Sequence, residues 1–325
     1  MDRVRQAPLT AIDGRIDVHH HVLPPVYMDA IRTAGYDRTG GIRFPEWRPE
    51  DSLGVMDRHG IAAAVVSVST PGVAFMADTG GARRLARACN EWCAELIASR
   101  AGRFGAFACV PLPDVDGALA EAAYALDSLG LDGVVLLASA GGRYLGDAAF
   151  EPLFEELDRR RTVVFLHPTT PPGAPLPGLD IAVSIVEFVT DTTRAVVNLI
   201  LSGTLERHPG VQIICAHAGG FAPYITDRLE AAWAGDPANR ERAPAGPLAY
   251  LRRLYYDTAA SANSYTLPAV RALAGPEQLL FGTDFPFAPG PVTAQTVGRL
   301  AGLLSGDGLR RVEGENARRL FDRLR

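Results

Sequence analysis

The sequence predicts an α/β protein folded as a closed (β/α)8 barrel, one domain spanning residues 1–325. Three observations predict it. Eight short apolar runs rich in β-branched residues alternate with longer amphipathic stretches along the chain. These runs are apolar on both faces, as strands are when helices cover a parallel sheet on each side. Eight such units fill 325 residues, the size of a barrel. The competing open doubly wound sheet is weakened because no Gly-x-Gly-x-x-Gly follows the first run.

The first strand is Arg15–Val22, with Ile16, Val18 and Val22 as strand formers. Side chains alternate along a strand, so His19 and His21 share one face and His20 takes the other. Two imidazoles two residues apart make half of a divalent-metal site. The triplet lies in an apolar strand pattern rather than a Gly/Ser linker, which separates it from a tag.

The segment Asp37–Asp51 is irregular. Then come strand Ala62–Val68, helix Ala82–Arg100 (Leu85, Ala88, Cys89, Trp92 and Leu96 on one face), strand Phe104–Pro111 and helix Val115–Leu129. Strand Gly133–Ala138, helix Phe150–Arg160 and strand Thr162–Pro168 follow, then a Pro-rich segment, Thr169–Leu179. Helix Ile181–Arg207, strand Val211–Ala218, helix Ala222–Ala234 and strands Leu254–Ala260 and Leu279–Phe285 complete the set. Gly or Pro punctuates the joins, as at His59-Gly60, Leu129-Gly130, Pro209-Gly210 and Gly275-Pro276. Both irregular segments follow the carboxyl end of a strand, where barrel enzymes build pockets.

Bulk properties narrow the function. Hydrophobic residues are 47% and charged residues 21%, which fits a globular protein. A formal charge of -5 leaves no basic stripe for a phosphate backbone, so nucleic acid is not an expected partner. No apolar run approaches the roughly 20 residues that span a bilayer. The opening Met1-Asp-Arg-Val-Arg-Gln lacks the apolar core of a signal peptide, and Cys89, Cys93, Cys109 and Cys215 read as buried thiols rather than a disulfide framework. A cytoplasmic location is therefore expected.

Three further polar residues close otherwise apolar strands: His167 in Val163-Val-Phe-Leu-His-Pro168, His217 in Cys215-Ala-His-Ala-Gly-Gly220, and Asp284 in Phe281-Gly-Thr-Asp-Phe-Pro286. Each stands at the end of the barrel that carries active sites. A buried ionisable group needs a partner, and one shared metal would serve them all. His59 and His208 sit at helix ends closed by Gly or Pro-Gly, where an imidazole meets the helix terminus.

Asp17-Val-His-His-His21, His167-Pro168, His217-Ala-Gly-Gly220 and Gly282-Thr-Asp-Phe-Pro286 together resemble the metal-dependent amidohydrolase superfamily, in its aminocarboxymuconate-semialdehyde decarboxylase-like branch. Within it, Phe44-Pro-Glu-Trp-Arg-Pro-Glu50, Leu53-Gly-Val-Met-Asp-Arg-His-Gly-Ile61, Ser69-Thr-Pro-Gly72 and Tyr144-Leu-Gly146 look like the 6-methylsalicylate decarboxylases. The resemblance implies that His19, His21, His167 and Asp284 hold one divalent ion, zinc or manganese. It makes His217 an acid/base beside that ion. It aligns Arg228 with an arginine that binds substrate carboxylate, often across a homodimer interface; an ordinary helix-surface charge is the alternative. It also puts Ser52 where the muconate-semialdehyde enzymes carry a second substrate-binding arginine, so Ser52 and the Trp47 segment are expected at the substrate. One fewer cation suits a monocarboxylic phenolic acid. Trp47, Phe75, Tyr144 and Phe287 are candidates for an aromatic pocket, with core packing as the alternative for each.

Two chemistries fit such a cage. The first is non-oxidative decarboxylation of an ortho-hydroxybenzoate, in which Asp284 or His217 protonates the carboxyl-bearing carbon. The second is hydrolysis of a lactone or amide, with Asp284 accepting a proton and His217 stabilising the oxyanion. A non-catalytic scaffold is a third class, which the presence of His217 argues against.

Overall fold

The computed structural model describes residues 14–173 and 180–324. Eight strands follow one another around a nearly closed barrel: β1 (Arg15–Val22), β2 (Ile61–Val68), β3 (Phe104–Cys109), β4 (Gly133–Leu137), β5 (Val163–His167), β6 (Gln212–Cys215), β7 (Tyr255–Asp257) and β8 (Leu279–Leu280). Every neighbouring pair is parallel. The seam closes where Val18 N donates to Phe281 O at 2.9 Å and His21 N to Phe285 O at 2.7 Å. Gly282 sits in this seam because a Cβ there would come within 2.8 Å of the His19 Cβ.

Pleating divides the apolar side chains into two layers. Ile16, Val18, Ala63, Val65, Phe107, Phe165, Ile214 and Leu280 fill the barrel, and Phe321 and Leu324 plug its amino-terminal end. The outward set, including Val22, Val66 and Val68, packs beneath helices α1 (Pro25–Thr33), α2 (Pro49–Arg58), α3 (Thr79–Ser99), α4 (Val115–Asp127), α5 (Glu151–Arg159) and α6 (Glu187–Leu201). Leu85, Cys89 and Leu96 form the buried stripe of α3, as the helical spacing predicts. Asp78 caps that helix by accepting the Gly81 amide at 2.7 Å.

Several expected boundaries shift for physical reasons. Regular pairing of β8 ends at Leu280, because the chain then turns toward Asp284, which has φ 62°. The expected helix Ile181–Arg207 is interrupted: a single turn at Val183–Ile185 precedes α6, and Gly203 at φ 79° separates α6 from a last turn, Thr204–Arg207. The segment Asp37–Asp51 contains a small antiparallel hairpin, Arg38–Thr39 against Ile42–Arg43, before Pro49 starts α2. Of the Pro-rich Thr169–Leu179, residues 174–179 lie outside the described residues. The four cysteines are free and buried. Among the described residues, no helix is long and apolar enough to cross a membrane.

Candidate metal centre and active site

The centre begins with an irregularity in β1. Asp17 pairs with Ala64 but His20 pairs with Val66, so β1 carries an extra residue between them. Strict alternation would face His19 and His21 away from Ile16 and Val18. The bulge returns both imidazoles to the inside of the barrel, where His19 lies edge-on over Phe165 with ring centroids 4.8 Å apart. Asp17 and His20 are left together outside, 2.9 Å apart.

One donor atom from each of His19, His21, His167 and Asp284 lies within 4.8 Å of the others. His19 Nε2 is 3.3 Å from Asp284 Oδ1, and His21 Nε2 is 3.1 Å from the same oxygen. The imidazoles are aimed by what their Nδ1 atoms bond: His19 to Asp257 Oδ2 at 2.7 Å, His21 to Ser67 Oγ at 3.1 Å, and His167 to the Pro168 carbonyl at 2.7 Å. With Nδ1 engaged, each Nε2 is presented inward, the usual preparation of a histidine for ligation. His19 and His21 have no exposed surface, and Asp284 keeps 20% of its side chain exposed at the cavity floor.

The electrostatics follow from that crowding. Burial pulls the His19 imidazole down, but the Asp257 and Asp284 carboxylates outweigh it and hold its pKa at about 10. Burial lowers His21, as it does His167, whose other imidazole neighbours push it further down. Burial alone would raise Asp284, yet the facing His19, His21 and His217 hold its carboxyl well below the usual carboxylate range. Three buried imidazoles and one carboxylate, all of nitrogen or oxygen character, fit a first-row divalent ion.

His217 stands beside the cage rather than in it, its ring 4.9 Å from His19 and 6.1 Å from His167. Its Nδ1–H donates to the Ala259 carbonyl at 3.1 Å, leaving Nε2 for the cavity. Its backbone is left-handed at φ 53°, as is that of Ala218 at 58°. Non-glycine residues in that region concentrate at functional sites. Gly220 completes the turn, since a Cβ there would run into the Val189 carbonyl.

Above the centre is a cavity of about 390 Å3, a size that suits a small organic ligand. Ile42, Ile185, Phe188, Val189, Val292 and Phe287 give it an apolar wall, and Ser69, Thr70, Ser184 and Ser261 bring hydroxyls. Phe287 also meets His21 edge-on at 5.5 Å. No Lys or Arg is among the described residues that line it.

Three residues expected at the substrate, Ser52, Trp47 and Arg228, do not line this cavity. Ser52 is wholly buried, bonded to His20 Nε2 at 2.8 Å and to the Trp47 indole N–H at 2.9 Å. Trp47 packs against Trp92, outside the cavity. Alignment matched Ser52 to an arginine position, but a short side chain there stays inside the packing and does not reach the cavity. Phe75 packs on Tyr27 and Tyr36, and the Tyr144 hydroxyl accepts from Arg194. Arg228 is exposed on α7 (Thr226–Gly235), away from the cavity lining. Asp257 was missed, although it ends the β7 run Tyr255-Tyr-Asp257 just as His167 ends β5. Besides aiming His19, it accepts the backbone amides of His217 at 3.0 Å and Ala259 at 2.9 Å.

Comparison with known proteins decides the family, because the sequence pattern described as Amidohydrolase matches residues 16–323. The chain belongs to the amidohydrolase family. Among its relatives, the 6-methylsalicylic acid decarboxylase of Penicillium expansum is 36% identical over 316 residues, covering 96% of this chain and 97% of the relative. Decarboxylase yanB of Aspergillus niger is also 36% identical, over 93% of this chain and 84% of its own length. A crystal structure of 2,6-dihydroxybenzoate decarboxylase with bound 2,6-dihydroxybenzoate superposes with a TM-score of 0.79 at 25% identity, over 95% of this chain and 98% of that one. This amidohydrolase therefore stands with the decarboxylases of its superfamily, and its barrel is the barrel they share.

Proposed function

We propose that this amidohydrolase is a metal-dependent, non-oxidative decarboxylase of an ortho-hydroxybenzoate with a small apolar substituent, of the 6-methylsalicylate kind. The observation that carries the reading is a buried His/His/His/Asp cluster beneath an apolar cavity without a lining Lys or Arg among the described residues. A dicarboxylic substrate would leave a second charge unpaired there, whereas a monocarboxylate leaves none. The relatives at 36% identity support decarboxylation over hydrolysis.

His19, His21, His167 and Asp284 would hold the ion. When bound, a divalent cation, zinc or manganese, supplies positive charge for the substrate's carboxylate and ortho-oxygen. The side chains do the rest. Phe287, Phe188 and Val189 orient the ring and keep water from it. A proton reaches the carboxyl-bearing ring carbon from His217, or from Asp284 after its carboxylate has taken up the substrate's phenolic proton; both side chains line the cavity. The bond from that carbon to the carboxyl then breaks, its electron pair restores the aromatic ring, and carbon dioxide leaves. We also propose a homodimer, since exposed Arg228 shares its surface with Phe221 and Tyr224, which are 43% and 86% exposed. Four free thiols accord with the cytoplasm.

Metal-reconstituted protein incubated with 6-methylsalicylate should release m-cresol and carbon dioxide in equal amounts. Failure on every hydroxybenzoate tried, together with turnover of a lactone, would overturn the reading.

A further inference from the structure

Behind β1, outside the cage, five polar side chains form one continuous hydrogen-bonded chain. The Trp47 indole N–H donates to Ser52 Oγ at 2.9 Å, and Ser52 Oγ is 2.8 Å from His20 Nε2. His20 Nδ1 is 2.9 Å from Asp17 Oδ2, which also accepts the Thr283 hydroxyl at 2.5 Å. Ser52, His20, Asp17 and Thr283 are all fully buried. An indole N–H only donates and a carboxylate only accepts. Ser52 Oγ therefore accepts from Trp47, and Asp17 Oδ2 accepts from His20 Nδ1 and from the Thr283 hydroxyl, so both ends of the chain are satisfied.

The Asp17–His20–Ser52 connectivity is that of a serine nucleophile triad. Nucleophilic chemistry is excluded here, because Ser52 has no exposed surface and its oxygen already accepts from Trp47.

The chain ends instead on both sides of Asp284. Asp17 Oδ1 accepts the backbone amides of Thr283 and His19, each at 3.1 Å. The Thr283 hydroxyl accepts the Phe285 amide at 3.2 Å, and the Asp284 amide donates to the His19 carbonyl at 2.8 Å. Asp284 thus holds its left-handed φ of 62° because the residues before and after it are pinned. We propose that Ser52, His20, Asp17 and Thr283 are positioning residues that fix the Asp284 carboxylate for its task. The proposal rests on the reading of Asp284 as a site residue given above. Productive geometry is lost when such a group drifts by more than about 0.5 Å, so these neighbours set the rate without touching substrate.

The test compares Thr283→Val, which keeps the shape and removes the hydroxyl, with Thr283→Ser, which keeps the hydroxyl. Metal content, melting temperature, kcat, KM and the electron paramagnetic resonance spectrum of the Mn2+-loaded protein are read for each. Thr283→Val should lose about tenfold or more in kcat and show an altered Mn2+ spectrum, as groups supporting a metal ligand do. Its KM should stay within about twofold, because uniform substrate binding is untouched. Thr283→Ser should match the parent. An unchanged kcat and spectrum in Thr283→Val, or equal losses in both variants, would overturn the proposal. If Thr283→Val does not fold, Ser52→Ala carries the same test under the same criteria. If the parent turns over no hydroxybenzoate, the functional reading fails and the Mn2+ spectrum alone decides this one.

Discussion

The Nε2 atoms of His19 and His21 stand 3.1 Å apart, closer than two nitrogen lone pairs tolerate unless a proton or a cation lies between them. In the metal-free chain the proton belongs to His19, whose pKa is held at about 10, while His21 is lowered. Asp284 is already a carboxylate at neutral pH and His167 is already neutral.

Metal uptake at pH 7 should therefore release about one proton per ion, that of His19 Nε2, and affinity should rise with pH until His19 deprotonates on its own. Isothermal titration in buffers of different ionisation enthalpy measures this. A slope near zero would show that His19 is neutral before the ion arrives.

Asp257 is not among the described residues that line the cavity above the centre, yet it aims His19 and ties down the His217 backbone. Asp257→Asn should weaken metal binding by about 10–100-fold with little change in the circular dichroism spectrum. Unaltered affinity in a competition assay with a chelator would remove Asp257 from the centre.

His217 stands outside the cage, so His217→Ala should leave metal content intact and lower kcat by about 100-fold or more. Loss of the ion in that variant would make His217 a ligand instead.

Much of this site was legible in the chain because strand ends are conspicuous. An ionisable residue after an apolar run, as at His167, His217 and Asp284, announces itself, and Asp257 obeyed the same rule unread. The bulge in β1 was not legible: period-two alternation cannot tell where one extra residue enters. Nor was the burial of Ser52, since aligning a position says nothing of whether a shorter side chain still reaches the cavity. The interruption of Ile181–Arg207 was half-visible in Gly203, whose φ of 79° ends a helix that the apolar pattern carries through.

Far from the centre, the Glu151 carboxyl is held at about 2, chiefly by its bond to Arg207 and further by His208. A depressed carboxylate stabilises the fold above its ordinary value near 4.5 and loses that contribution as the pH falls toward 2. Glu151→Gln should accordingly be less stable than the parent at pH 6, with the two converging near pH 2. Urea denaturation across that range measures it. A gap that persists at low pH would assign the effect to packing rather than to charge.

The most direct measurement is a titration of chelator-stripped protein with Zn2+ or Mn2+ while release of carbon dioxide from 6-methylsalicylate is followed. Turnover should be absent at the start, rise linearly and level off at about one ion per chain, the number that one His/His/His/Asp cage holds. Full turnover in the stripped protein, or a plateau at two ions per chain, would contradict the account.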